Sequence, residues 1–358
     1  DAEAAGTTIG GQDEFVALAG AHEAQSALPL AQPAESRAEI ALHAPVIQLV
    51  PVTGRHNKRL VPDALGFVFH TCILDPLNLF SSDTPLRHRG MREKPGVPQI
   101  REPAVAGLFY PDDPLLLQQQ VDNLLAQEVA VGAAPKALIV PHAGFIYSGP
   151  VAASAYLQLA SVREQIQRVV LLGPAHRVAF SGVAASSARY FSTPLGMVRI
   201  DQQAMDAILG LPQVRVLDEA HRDEHSLEVQ LPFLQTVLNK NFGLIPLVVG
   251  DAEPEAVAEV IELLWGGPET LVLISSDLSH YHDYDTARRL DSATSHAIEQ
   301  LNPQAIDYQQ ACGRTPVNGL LLAARHHQLH ARTLDQRNSG DTAGGRDRVV
   351  GYGAYAFC

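Results

Sequence analysis

Cysteine is scarce in this 358-residue chain: there are three, Cys72, Cys312 and Cys358, far apart in sequence. That spacing excludes both a disulfide framework and a paired Cys-x-x-Cys metal knuckle, and a reducing, cytoplasmic setting is expected. Positive charge is also short. The chain has 26 Lys and Arg against 39 Asp and Glu, a formal net charge of −13, and no basic cluster offsets it. A nucleic-acid surface needs such a cluster, so no nucleic-acid partner is expected. No apolar run approaches the ~20 residues of a bilayer span, so no membrane association is expected. A basic stretch followed by an apolar core and a cleavage site is missing from the amino terminus, and no secretory signal is expected. The Walker phosphate loop, the G-x-G-x-x-G fingerprint after a strand and the G-x-S-x-G elbow are all absent. Their absence disfavours nucleotide binding by a standard motif and the α/β-hydrolase reaction.

Residues 1–90 are a poorly patterned segment, Ala-rich with scattered Gln, Pro and Gly and no sustained period. They are expected to be a disordered extension, or not part of the functional fold. From residue 99 to residue 358 the chain reads as one α/β domain. Strands are expected at 137–140, 169–172, 244–249, 271–274 and 348–357, with an antiparallel excursion through 181–200. Helices are expected at 115–128, 151–159, 224–238, 253–264, 285–300 and 317–329. Alternating strands and helices imply three layers: a mainly parallel or mixed central sheet with helices on both faces.

Three of the apolar runs stop at a histidine-bearing loop. Ala137–Val140 leads into Pro141-His142-Ala143-Gly144, Val169–Leu172 into Gly173-Pro174-Ala175-His176, and Leu271–Ile274 into Ser275-Ser276-Asp277-Leu278-Ser279-His280. In open α/β sheets, ligands bind just beyond the carboxyl ends of the strands. Imidazoles gathered there can hold a metal or move protons. A lone strand-end histidine is more often bonded to a backbone carbonyl, but His142 and His176 on neighbouring strands can converge. Cys312 precedes a helix expected near Val317, whose amino terminus and Arg314 would favour the thiolate; a small buried residue is the plainer reading. Asp277 beside His280 is the pairing a general base uses, although Asp277 can equally cap a turn. Asp223 to Glu228 is expected to open a helix, with Asp223 and Glu224 as dipole partners. His225 and Glu228 would then share a face, as an orienting pair for a ligand or as a surface pair. His326, His327 and His330 are expected at the surface near a helix end, where positive charge is favoured.

Seven stretches, in order, resemble the Memo-like family, known in bacteria as protein B of the AmmeMemoRadiSam system. They are PAVAGLFYP (103–111), PHAGFIYSG (141–149), LLGPAH (171–176), DEHSLEVQLPFL (223–234), SSDLSHY (275–281), CGRTPVNGLL (312–321) and NSGD…RVVGYGAYAF (338–357). The resemblance covers residues from about 100 to the end. It implies a fold similar to the class III extradiol dioxygenases, with a metal held by His142, His176 and Cys312. His225, Asp277 and His280 would line the same pocket, with His280 at the acid/base position. Some relatives carry a second histidine where Arg177 stands, so that position offers no further ligand. The dioxygenases bind Fe(II) through two histidines and a carboxylate. A thiolate as third ligand points instead to iron or copper in other chemistry, with zinc also compatible.

Two functions follow as expectations from the resemblance. One is a metal-dependent redox or oxygenase-like enzyme acting on an unknown small molecule. The other is a non-catalytic metal-binding or peptide-binding protein that works with radical-SAM and AMMECR1-type partner proteins.

Overall fold

The computed structural model describes residues 99–238 and 241–358; the segment 1–90 lies outside the described residues. Among the described residues there are twelve strands: β1 Ile100–Arg101, β2 Ala137–Val140, β3 Arg168–Pro174, β4 Val183–Ala185, β5 Tyr190–Thr193, β6 Gly196–Arg199, β7 Val214–Val216, β8 Gly243–Val249, β9 Thr270–Ser275, β10 His280–His282, β11 Ala331–Asn338 and β12 Val349–Phe357. Eight α-helices join them: α1 Pro114–Leu125, α2 Phe145–Tyr156, α3 Gln202–Ile208, α4 Asp218–Arg222, α5 Leu231–Val237, α6 Pro254–Leu263, α7 Tyr284–Glu299 and α8 Arg314–His326. The architecture is the expected three-layer α/β arrangement, and the sheet is mixed. Its strand order is β10-β12-β2-β9-β3-β8-β4-β7, with β11 paired to β12. A small separate sheet joins β1, β5 and β6.

Strands β2, β9, β3 and β8 run parallel at the centre. Their side chains are buried on both faces, which is why they read as continuous apolar runs rather than alternating ones. Around them, β12 pairs antiparallel with β2, and β4 antiparallel with β8. Helices α1, α2 and α5 pack together, with α2 on β2, β11 and β12. Helix α6 packs on α8, which lies on β3 and β9, while α7 lies on β11 and β12. Among the described residues no helix is long and apolar enough to cross a membrane.

Parallel register is what places the site. Val140 pairs with Ser275, Leu172 with Ile274, and Pro174 with Val249, so the four strands end together. The loops carrying His142, His176 and His280 therefore leave the sheet at one edge.

Three local expectations change. Helix α2 begins at Phe145, not 151, with Pro150 inside it; proline often marks a first turn, and here its missing N–H merely leaves one helical bond unmade. Helix α1 ends at Leu125, not 128, and buries Leu117 and Val121 while Leu115 and Leu116 are exposed at its first turn. Finally, no α-helix opens at Asp223. Residues 228–230 form a 3-10 turn and α5 starts only at Leu231. The cause is Pro232, whose ring would collide with the carbonyl of residue 228 in a helix running through both.

Candidate metal centre

His142 leaves β2 almost fully buried. Its Nδ1 lies 2.9 Å from Ser275 Oγ. That hydroxyl donates its own proton to the Ser226 carbonyl and accepts from Gln230 Nε2, so toward His142 it can only accept. Nδ1 must therefore carry the hydrogen, and the Nε2 lone pair is left free. Nε2 faces Cys312 Sγ at 3.3 Å. Burial, then the neighbouring His176, His225 and His280, hold the His142 imidazole well below its ordinary pKa, so it is neutral at pH 7.

His176 is fixed the same way by a different partner. Its Nδ1 lies 2.9 Å from Glu224 Oε1, and its backbone N–H donates to Glu224 Oε2 at 2.6 Å. A carboxylate accepts only, so again Nδ1 bears the hydrogen and Nε2 is free. The carboxylate also accepts from the backbone N–H of His225 and Ser226, each at 3.0 Å. Burial pushes the Glu224 carboxyl up, but the His176 bonds and charge and the backbone donors outweigh it and bring it down to about 2.

Cys312 stands just before α8, whose N-cap is Gly313. Glycine is needed there because a Cβ would meet Ser276 Cβ at 2.7 Å and the Ser275 carbonyl at 2.9 Å. This close approach presses Cys312 against the end of β9, with Sγ 3.7 Å from the Asp277 carbonyl oxygen. Removal from water, then the Asp277 charge, pushes the thiol well above its ordinary pKa. The thiolate stabilisation expected from the helix and Arg314 therefore does not dominate; the Arg314 guanidinium stacks on Tyr308 instead. One ligand atom from each of His142, His176 and Cys312 lies within 4.8 Å of the others.

His225 packs against this group, its ring centroid 4.7 Å from that of His176 and 5.4 Å from that of His142. Burial lowers its pKa to about 4, with Glu224 opposing and His176 and Arg177 assisting. His225 and Glu228 do not act as a pair, because the turn sends them apart. Glu228 is fully buried and binds Arg101, Tyr110 and the backbone N–H groups of Ala104 and Val105. The partner of His176 is instead Glu224, which the sequence made look like an ordinary dipole partner at a helix start. Its only sequence signal is its place one residue before His225 in an otherwise short acidic run.

Asp277 is buried, and its Oδ1 accepts from the His142 backbone N–H at 2.7 Å. Burial raises its carboxyl pKa against the pull of His280 and the His142 backbone bond. His280 is oriented by a carbonyl: its Nδ1 lies 2.8 Å from Leu278 O, so Nδ1 donates and Nε2 is left as the basic nitrogen. Asp277 thus acts on the His142 loop directly and on His280 through its charge. Tyr281, next in the chain, has φ 63°, a left-handed conformation that turns the backbone sharply after His280.

A groove of about 540 Å³ opens on Cys312, lined also by Ala175, Val178, Phe180 and Tyr308. A larger cavity, about 890 Å³, lies beside Arg101, Phe109, Arg177 and His221.

The His280 loop is held from behind by Asp291 of α7, which is 1% exposed and accepts from the Ser279 backbone N–H at 3.0 Å. Burial raises its carboxyl to about 6 from 3.8, against the Ser279 bonds and His282. The folded state thus holds this proton more tightly than the unfolded chain. Stability from this group falls as pH rises from 3.8 to about 6, and above that the buried charge costs about 1–3 kcal/mol. Asp291→Asn is therefore expected to raise Tm at pH 8, with the gain fading below about pH 4. An equal gain at both pH values would show that charge burial is not the cause.

Comparison with known proteins agrees with the ordered motifs. A family model described as Memo-like protein matches residues 101–356. A MEMO1 family protein of Aquifex aeolicus is 38% identical over 264 residues, covering 71% of this chain and 97% of that protein. One of Saccharolobus solfataricus is 36% identical over 283 residues, covering 72% and 99%. One of Sulfolobus acidocaldarius is 34% identical over 287 residues, covering 72% and 99%.

Proposed function

The chain belongs to the Memo-like family, and on that premise we propose that it binds one iron or copper ion through His142, His176 and Cys312 and acts as an oxygenase-like redox enzyme. The observation that carries this reading is the hydrogen-bond pattern behind the ligands. Both histidines spend Nδ1 on a fixed acceptor and leave Nε2 toward a common point, with Cys312 Sγ beside it. Metal-binding histidines are oriented in this way. The donor set of two neutral imidazoles and a thiol suits a soft or borderline ion, which would displace the thiol proton. It does not match the two-histidine, one-carboxylate set of the ring-cleaving dioxygenases.

Bound there, such an ion supplies one-electron chemistry. The protein's own groups do the rest. His280 Nε2 accepts or returns a proton, and Asp277 balances charge around it while fixing the His142 loop. The groove along Cys312 and Tyr308 admits a small substrate and is mostly apolar in its lining.

Metal analysis of anaerobically purified protein, beside a His142→Ala/Cys312→Ala variant, tests the proposal. Near-stoichiometric iron or copper in the wild type and none in the variant is expected. Absence of metal in the wild type, even after reconstitution, would overturn the site. Tight metal binding with no redox turnover would instead support the non-catalytic partner role.

A further inference from the structure

The carboxyl end of α8 carries a second constellation, independent of the first. His326 is the last residue of α8 and His327 its C-cap. Glu262 of α6 reaches both: its Oε1 lies 2.9 Å from His326 Nδ1 and its Oε2 2.8 Å from His327 Nε2. One ligand atom from each of the three lies within 4.8 Å of the others. From Cys312 to His326 the chain rises along α8, which separates the two clusters by ~20 Å.

We infer that Glu262, His326 and His327 form a second metal site, for a borderline divalent ion such as copper(II), zinc(II) or nickel(II). The donors are two imidazoles and a carboxylate, with no thiol, which suits those ions and leaves water to complete the coordination. Each carboxylate oxygen accepts from a different imidazole, so an ion enters by taking the place of these two hydrogens, which shift to His326 Nε2 and His327 Nδ1 or leave to solvent. The His327 ring is held in place: it stacks on Trp265 with centroids 4.0 Å apart and planes 4° apart. Lys136 Nζ, 5.1 Å from the Trp265 ring, is itself anchored on the carbonyls of Trp265, Gly267 and Thr270. A cation at this place also meets the negative end of the α8 dipole. His326 is largely exposed, with 73% of its side chain accessible, so an ion can enter from solvent. The ion would tie the end of α8 to α6, and its binding free energy would add to the stability of the fold.

Trp265 is the only tryptophan in the chain, which makes the site its own reporter. Copper(II) on His327 sits against the stacked indole and quenches its emission. The experiment titrates copper(II) into tag-free, full-length His142→Ala/Cys312→Ala protein, so that the first cluster does not compete. Saturable quenching is expected, and it is expected to disappear when Glu262→Gln and His326→Ala are added. Those two changes leave His327 and Trp265 themselves unaltered, and circular dichroism checks that the protein remains folded. Zinc(II) is expected to raise Tm in the first protein and not in the second. Quenching that is absent from the first protein, or that persists in the second, would overturn the site.

Discussion

Glu228→Ala is expected to cost about 3–5 kcal/mol of stability, because it leaves the Arg101 guanidinium buried without its counter-charge. Glu228 is fully enclosed and Arg101 is 7% exposed. Besides Arg101, the carboxylate binds the backbone N–H of Ala104 at 2.7 Å, that of Val105 at 3.0 Å, and the Tyr110 hydroxyl. Arg101 uses its remaining donors on the carbonyls of His221 and Glu224. The network therefore fastens the segment before α1 to the turn that carries Glu224 and His225. Thermal unfolding of the variant is expected to fall by roughly 10 °C for a domain of this size. A double change, Arg101→Met with Glu228→Leu, is expected to recover part of the loss, since no unpaired charge remains. A loss no larger than that of a surface substitution would mean that the pair is open to water.

If the proposed site at His142, His176 and Cys312 holds a metal, Glu224→Gln is expected to lower its affinity by about 10–100-fold. Four N–H groups converge on this one carboxylate: His176 through backbone and ring, His225 and Ser226. An amide has only one oxygen. Its NH2 would then oppose one of the donors, most directly the His176 backbone N–H on Oε2. His176 keeps a ring acceptor at Oε1 but loses the charge that makes its Nε2 a better donor, and its backbone loses its anchor. Competition against a chromogenic chelator measures the change, with Asp223→Asn as the exposed neighbour that should do nothing. Equal affinity in Glu224→Gln and wild type would remove Glu224 from the site.

The edge where the site lies was legible because its strands are buried on both faces, so β2, β3, β8 and β9 appear as plain apolar runs. The histidines could be placed because they follow those runs directly. The features without a local sequence signal depend on long-range pairing. Glu228 finds Arg101 across 127 positions, and nothing local marks either residue. Strand β11, with the sequence ARTLDQRN, is half-exposed through most of its length and lacks an apolar pattern; pairing with β12 makes it a strand. Pro232 was the visible clue that α5 starts late, but the leucine spacing around it suggested a longer helix. The role of Glu224 was hidden by a sufficient plain explanation, that of an acid at a helix start.

Strand β12 lies inside the sheet, between β2 and β11, although it is made after every other strand. The parallel strands of residues 137–275 therefore lack one neighbour until Val349–Phe357 docks. Until then Ala137–Val140 is an uncovered edge of the kind that recruits other chains. The His280 loop also waits, because Leu278 and Ser279 bond to Gly351 through paired backbone contacts of 2.8 Å each. Closure of the His280 loop is thus tied to the docking of β12.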